Sequence, residues 1–214
     1  MTDVFREVDE DLRSEQYQKL WKRYGRLVIG AAVAIVAVTA VWQAWTGWQR
    51  SKNEAAGQQF IGAMQVLDRG ATGTAIAMLE ALENGAPVGY ATLAKLQRAN
   101  ALLIAGDRRE AINLYDAVAA DAGLDKELRD LARLLAAQNL IDTADRPTLE
   151  RRLAGLDEGT SPWRWSAREL LALTALRAND PARARELFTQ LADDQAAPQG
   201  TRARGAEMLA ALGA

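Results

Sequence analysis

The chain has 214 residues, enough for one domain of ordinary size with an appendage. It holds 26 basic and 28 acidic residues, and a net charge of −2 gives no electrostatic reason to expect nucleic acid binding. Histidine and cysteine are absent, which excludes a Ser-His-Asp triad, a cysteine nucleophile, a disulfide framework and the usual zinc ligands. Alanine (43) and leucine (28) dominate, while valine and isoleucine together number 17, seven of them between residues 27 and 42. Outside that window the chain is poor in β-branched residues and rich in helix formers, so it reads as all-α.

Residues 1–26 carry six acidic and six basic side chains. Phe5, Val8 and Leu12 fall on one helical face, and Tyr17, Leu20, Trp21 and Tyr24 form a second stripe. The segment reads as a solvated helix running into the next element, or as a short docking element.

Residues 27–42, LVIGAAVAIVAVTAVW, hold no charge, and nothing ionisable lies between Arg26 and Arg50. As a helix, those 23 residues span about 34 Å, enough for a hydrocarbon core of about 30 Å. Trp42, Trp45 and Trp48 stand at one end and Trp21 and Tyr24 at the other, the pattern of two interfacial belts. A buried core helix rarely needs so long an uncharged window. A cleaved signal peptide, with Val38-Thr39-Ala40 as its site, is disfavoured by a preceding tail that is long and acidic rather than short and basic. Residues 27–49 are therefore expected to form a transmembrane helix. Residues 11–26 carry five bases and residues 50–66 carry two, which puts the N-terminal tail in the cytoplasm and residues 50–214 across the membrane, in a bacterium the periplasm.

From residue 50 onward a repeat is visible. Gly70 to Ala75 leads into Ile76-Ala77-Met78-Leu79, Gly106 to Ala111 into Ile112-Asn113-Leu114-Tyr115, and Asn179 to Ala184 into Arg185-Glu186-Leu187-Phe188. The key alanines, Ala75, Ala111 and Ala184, are 36 and 73 residues apart, and a degenerate copy around Pro147, Leu149 and Leu153 fills the gap. Helices are expected near 51–69, 72–84, 90–105, 108–122, 126–142, 146–156, 162–178 and 181–193, with a ninth near 200–212 closing the stack. Gly70, Gly85, Gly106 and Gly123 are placed as C-caps, Asp107 and Asp180 as N-caps, and Pro147 and Pro181 in first turns. Short loops make consecutive helices antiparallel.

These positions resemble the tetratricopeptide repeat. Small residues stand at Ala63, Ala99 and Ala172, second-helix alanines at Ala75, Ala111 and Ala184, and the aromatic position holds Leu79, Tyr115 and Phe188. Pro87 and Pro198 lie near the closing proline, whereas the tryptophan position holds Gln59, Lys95 and Arg168. The resemblance implies a right-handed stack of about four helical hairpins with a C-terminal capping helix. The whole arrangement, with the opening VFREVDEDLRSEQYQKLWKRYG at residues 4–25, resembles the YfgM-like family in its alphaproteobacterial branch. That resemblance implies an ancillary subunit of the SecYEG translocon in the bacterial inner membrane, meeting periplasmic chaperones. Another envelope scaffold, for cytochrome maturation, outer-membrane assembly or cell division, would have the same architecture.

Chemistry-bearing clusters are weak. Glu80 with Glu83, Asp193 with Asp194, and Asp9-Glu10-Asp11 read as solvated faces rather than acid–base pairs. Gly70-Ala71-Thr72-Gly73 lacks the lysine and preceding strand of a phosphate loop. Trp163 and Trp165 point to different faces, with one expected in the core and the other partly exposed. No catalytic group, cofactor, metal or small-molecule substrate is expected, and the chain is not read as an enzyme. Alignment to the tetratricopeptide pattern puts Phe60, Met64 and Leu67, then Leu96, Asn100 and Leu103, then Glu169, Leu173 and Arg177 on a concave, partner-binding wall. The competing reading is that Leu67, Leu96 and Leu173 are ordinary core.

Overall fold

The computed structural model describes residues 3–213, with side-chain surroundings from residue 22 onward apart from Val28. The tail stripes formed by Phe5, Val8, Leu12, Tyr17, Leu20 and Trp21, and the Asp9-Glu10-Asp11 cluster, lie outside the described side chains. Among the described residues there are nine helices and no strand: α1 (Asp3–Asp68), α2 (Thr72–Gly85), α3 (Val88–Ile104), α4 (Arg108–Ala120), α5 (Lys126–Leu140), α6 (Arg146–Leu153), α7 (Arg164–Arg177), α8 (Pro181–Asp193) and α9 (Gln199–Ala211). The chain divides into two compact units, Met1–Glu54 and Ala55–Ala214.

In the first unit α1 is long and apolar enough to cross a membrane, with a mean hydropathy of 2.2 in a window of which none is buried. The indoles of Trp42, Trp45 and Trp48 are all exposed.

The second unit is a row of antiparallel hairpins. Their turns repeat one chemistry. Gly70 and Gly106 adopt φ of +81° and +89°, which a side chain disfavours, and this left-handed residue lets the next amide reach back five residues. Thus Ala71 N–H donates to Val66 O and Asp107 N–H to Leu102 O. Asn179 takes the same role in the fourth hairpin at φ +57°. Asp107, Asp145 and Asp180 then cap α4, α6 and α8, accepting from the amides of Glu110, Thr148 and Arg183 at 3.1, 3.1 and 3.0 Å. Two of the expected glycine caps are something else. Gly85 is the last residue of α2, with Pro87 stopping further helix, and Gly123 donates its N–H to the Asp121 carboxylate in an Asx turn.

The third hairpin departs most from expectation. α6 ends at Leu153 rather than near residue 156, because Ala154 is extended and Gly155 adopts φ +74°. Leu156 is nonetheless wholly buried, so the irregular segment after α6 supplies the side chain that a third helical turn would have carried. Arg133 and Arg168 satisfy the freed carbonyls of Ala154 and Asp157 at 2.9 and 3.0 Å.

Packing follows the small-then-large pattern. Ala63, Ala99 and Ala172 in first helices, and Ala75, Ala111 and Ala184 in second helices, are all buried, as are Leu79, Tyr115, Leu153 and Phe188. α9 closes the row with Met208, Leu209 and Leu212 against the Leu187–Phe188–Leu191 core. The approach is closest at Gly205, where a Cβ would stand 3.2 Å from Ala192 N and from Phe188 O. Gly205→Ala should therefore push α9 off α8 and lower the melting temperature. Gly73→Ala should be neutral or stabilise by up to about 1 kcal/mol, because a Cβ at that helical site meets nothing within 4 Å. Thermal melts followed by circular dichroism compare the two, and equal melting temperatures would contradict the α8–α9 packing.

Candidate partner-binding surface

A cleft of about 410 Å³ lies between α5, α7 and α9. Leu134, Ile141, Leu170 and Leu173 supply its apolar lining, with Gln138 and Ser166 as neutral polar groups. Glu169 and Arg204 form a charged side of the cleft, joined by two parallel hydrogen bonds of 2.9 and 2.8 Å. The carboxylate beside it pushes the Arg204 guanidinium further up. The arrangement offers apolar area, amide and hydroxyl groups and a preformed ion pair. It suits recognition of a protein surface better than bond-making chemistry.

The nine residues expected on the concave wall have different surroundings. Glu169 and Leu173 meet in the cleft. Phe60 and Leu67 are half-buried against the Ala63–Leu79 core, and the Phe60 ring lies 6.4 Å from that of Tyr90. Met64 is half-buried. Leu96 is buried and Leu103 packs against the same cluster, around Tyr115. Asn100 accepts a hydrogen bond from the Tyr115 hydroxyl and donates one to Gln97 at 3.1 Å. Burial pushes the Tyr115 phenol up, which keeps it protonated as donor to Asn100. Arg177 is exposed and donates to Ala144 O at 3.3 Å, beside a smaller depression of about 210 Å³ that also holds Asp145 and Arg146. Arg146 is itself held by Glu150 at 2.7 Å and Asp180 at 2.9 Å.

Sequence reasoning missed the third repeat's share of the wall: Leu134, Gln138 and Ile141. The signal was there in Ala136, which is wholly buried and stands 37 residues after Ala99 and 36 before Ala172.

The paired carboxylates are more engaged than expected. Glu80 is exposed, but Glu83 is paired with both Lys95 and Arg98 at 3.3 and 2.8 Å. Asp193 is exposed, whereas Asp194 accepts from the Trp165 indole at 2.8 Å and the Ala196 amide at 2.9 Å. The two tryptophans also differ from expectation. Both are half-buried, each packs against a different core cluster, and each donates its indole N–H, Trp163 to Glu127 O at 3.0 Å. Among the described residues no group of acidic side chains is placed to hold a metal.

The indole and amide donors hold the Asp194 carboxyl below the ordinary carboxylate range. A folded pKa below the unfolded one contributes stability above the unfolded value and loses it as pH falls through the folded value. Asp194→Asn should therefore be less stable than the parent at neutral pH, and the difference should shrink toward about pH 2. Urea unfolding at both pH values measures it, and a difference that persists undiminished in acid would contradict the assignment.

The tetratricopeptide repeat-like domain family matches residues 18–161, a segment that takes in the apolar window and the hairpins through α6. No curated protein and no solved structure matches the chain. With more than half of its length matched and its repeat positions buried in register, the chain belongs to the tetratricopeptide repeat-like domain family.

Proposed function

We propose that the chain is a single-pass membrane protein whose repeat domain recruits protein partners, an ancillary subunit of the bacterial Sec translocon. Repeat-like domains of this family are scaffolds for protein–protein interaction, and no catalytic role is assigned to this one. The observation that carries the reading is the span of the family match, which begins at residue 18 and treats the apolar helix and the hairpins as parts of one module. One element supplies residence in a membrane, the other a binding surface, and together they describe a protein that works beside a membrane complex. Partners approach the wall between α5, α7 and α9. The translocon itself, its periplasmic chaperones and the alphaproteobacterial branch come from the resemblance of the whole arrangement and of residues 4–25.

Two measurements test this. A reporter active only in the periplasm, fused after Ala214, should be active, because five bases precede the apolar window and two follow it. Activity of a cytoplasm-only reporter at that position would reverse the orientation. A photo-crosslinking residue placed at Gln138 or Leu173 should capture translocon subunits or periplasmic chaperones in intact membranes. Reproducible capture of a different envelope complex would reassign the partner, and the Glu169→Ala, Arg204→Ala pair should weaken whichever adduct forms.

A further inference from the structure

The first unit carries a feature that the interaction reading does not use. On α1 the side chains of Val38, Val41, Trp42 and Trp45, with Ala37, frame a wholly apolar step of about 520 Å³. Beyond it the Trp45 and Trp48 rings lie 5.6 Å apart, and the Lys52 ammonium rests on the Trp48 ring, 3.8 Å from its centroid. At about 100° per residue, Val38, Val41, Trp45, Trp48 and Lys52 fall within about 80° of one another on the helix. The same face thus runs from aliphatic to indole to cation over about 21 Å.

We infer that this face is a docking site for one anionic glycerophospholipid, with its acyl chain in the step beneath Trp42 and Trp45 and its phosphate at Lys52. The inference rests on the proposed membrane anchor. The order of chemistry matches one leaflet, whose hydrocarbon half is about 15 Å deep and is followed by an interfacial layer and then phosphates. Charge selects the headgroup. The cation–π contact holds the ammonium over the indole, so the charge sits on the acyl-chain face rather than sweeping freely around the helix. Arg50 has the same charge and nearly the same depth but lies about 160° away around the helix. It serves as an internal control that separates a site from a general attraction of bases to anionic surfaces.

The test uses the full chain carrying Trp21→Phe, so that membrane-quenchable indole emission comes from the Trp42–Trp48 end. Flotation first measures its incorporation into vesicles of phosphatidylcholine and phosphatidylglycerol. Bromine-labelled acyl chains are then carried by one lipid or the other, and indole quenching is compared. Labelled phosphatidylglycerol should be preferred, by up to about fivefold. That preference should vanish in Lys52→Gln, fall in Trp48→Leu and survive in Arg50→Gln. Equal losses in Lys52→Gln and Arg50→Gln, or no preference in the parent, overturn the site while leaving the anchor intact. Indoles shielded from both lipids, with crosslinks to a second copy, would show that a helix occupies the step instead. Failure to float with vesicles overturns the anchor reading and this inference together.

Discussion

In the repeat unit α3, α5 and α7, the first helices of the later hairpins, are each squeezed between two core clusters, and that geometric demand governs the rest. α3 gives Ala94 and Ala101 to the core it shares with α1 and α2, and Ala99 to the core it shares with α4. α5 does the same with adjacent residues, Ala136 toward the Tyr115 cluster and Ala137 toward Leu149 and Leu153. α7 presents Ala167 on one side and Ala172 and Ala175 on the other. Helices whose backbones approach closely need small side chains at the crossings, while large side chains one turn away fill the space beside them. Leu79, Tyr115, Leu153 and Phe188 are those fillers. The alanines bury little area themselves. They set the spacing at which the large residues can be buried, so the two sets depend on each other.

The repeat also fixes the polar contacts. Arg152 reaches Asp116 across 36 residues, Trp163 reaches Glu127 O across 36, Arg204 reaches Glu169 across 35 and Arg146 reaches Asp180 across 34. Each bond joins like places in successive hairpins, which is what a one-dimensional stack with nearest-neighbour coupling requires. Most are partly exposed, so each contributes modestly and mainly sets register. The first hairpin is joined to the second through Glu83, held by Lys95 and Arg98, and through Tyr90 against Phe60 and Gly57.

Features with a local cause were legible in the sequence. The turn at Gly106 followed by Asp107 announces a helix stop and a helix start within two residues, and both formed as read. The alanine–aromatic pairs were legible because the period repeats them. Asn179, aligned with Gly70 and Gly106 in the repeat, takes their left-handed cap as well. Features decided by tertiary packing were not legible. The end of α6 depends on Leu156 finding a core site outside a helix, which no local pattern announces. The candidate wall was legible in outline only, since a repeat alignment identifies the helix but leaves open which face of it the neighbouring hairpin covers.

That last gap shapes the surface. In the second hairpin Leu96 and Leu103 turn into the core and Asn100 is spent on Tyr115, yet Leu93 and Ile104 on the same helix are exposed at 43% and 67%. Eleven residues apart, they stand about 20° from each other around the helix, with Gln97 about 20° beyond Ile104. The open stripe of α3 therefore lies one position to the side of the one that alignment indicates. It has the character of the α5–α7 lining, where Ile141 and Gln138 recur with Leu173 and Ser166. Isolated apolar side chains flanked by neutral amides and hydroxyls cost little to leave in water. The same groups offer a partner both area and hydrogen bonds without a buried charge to desolvate. The ion pair of Glu169 and Arg204 then gives the wall its one fixed electrostatic landmark among these lining residues, placed where the capping helix meets the last hairpin.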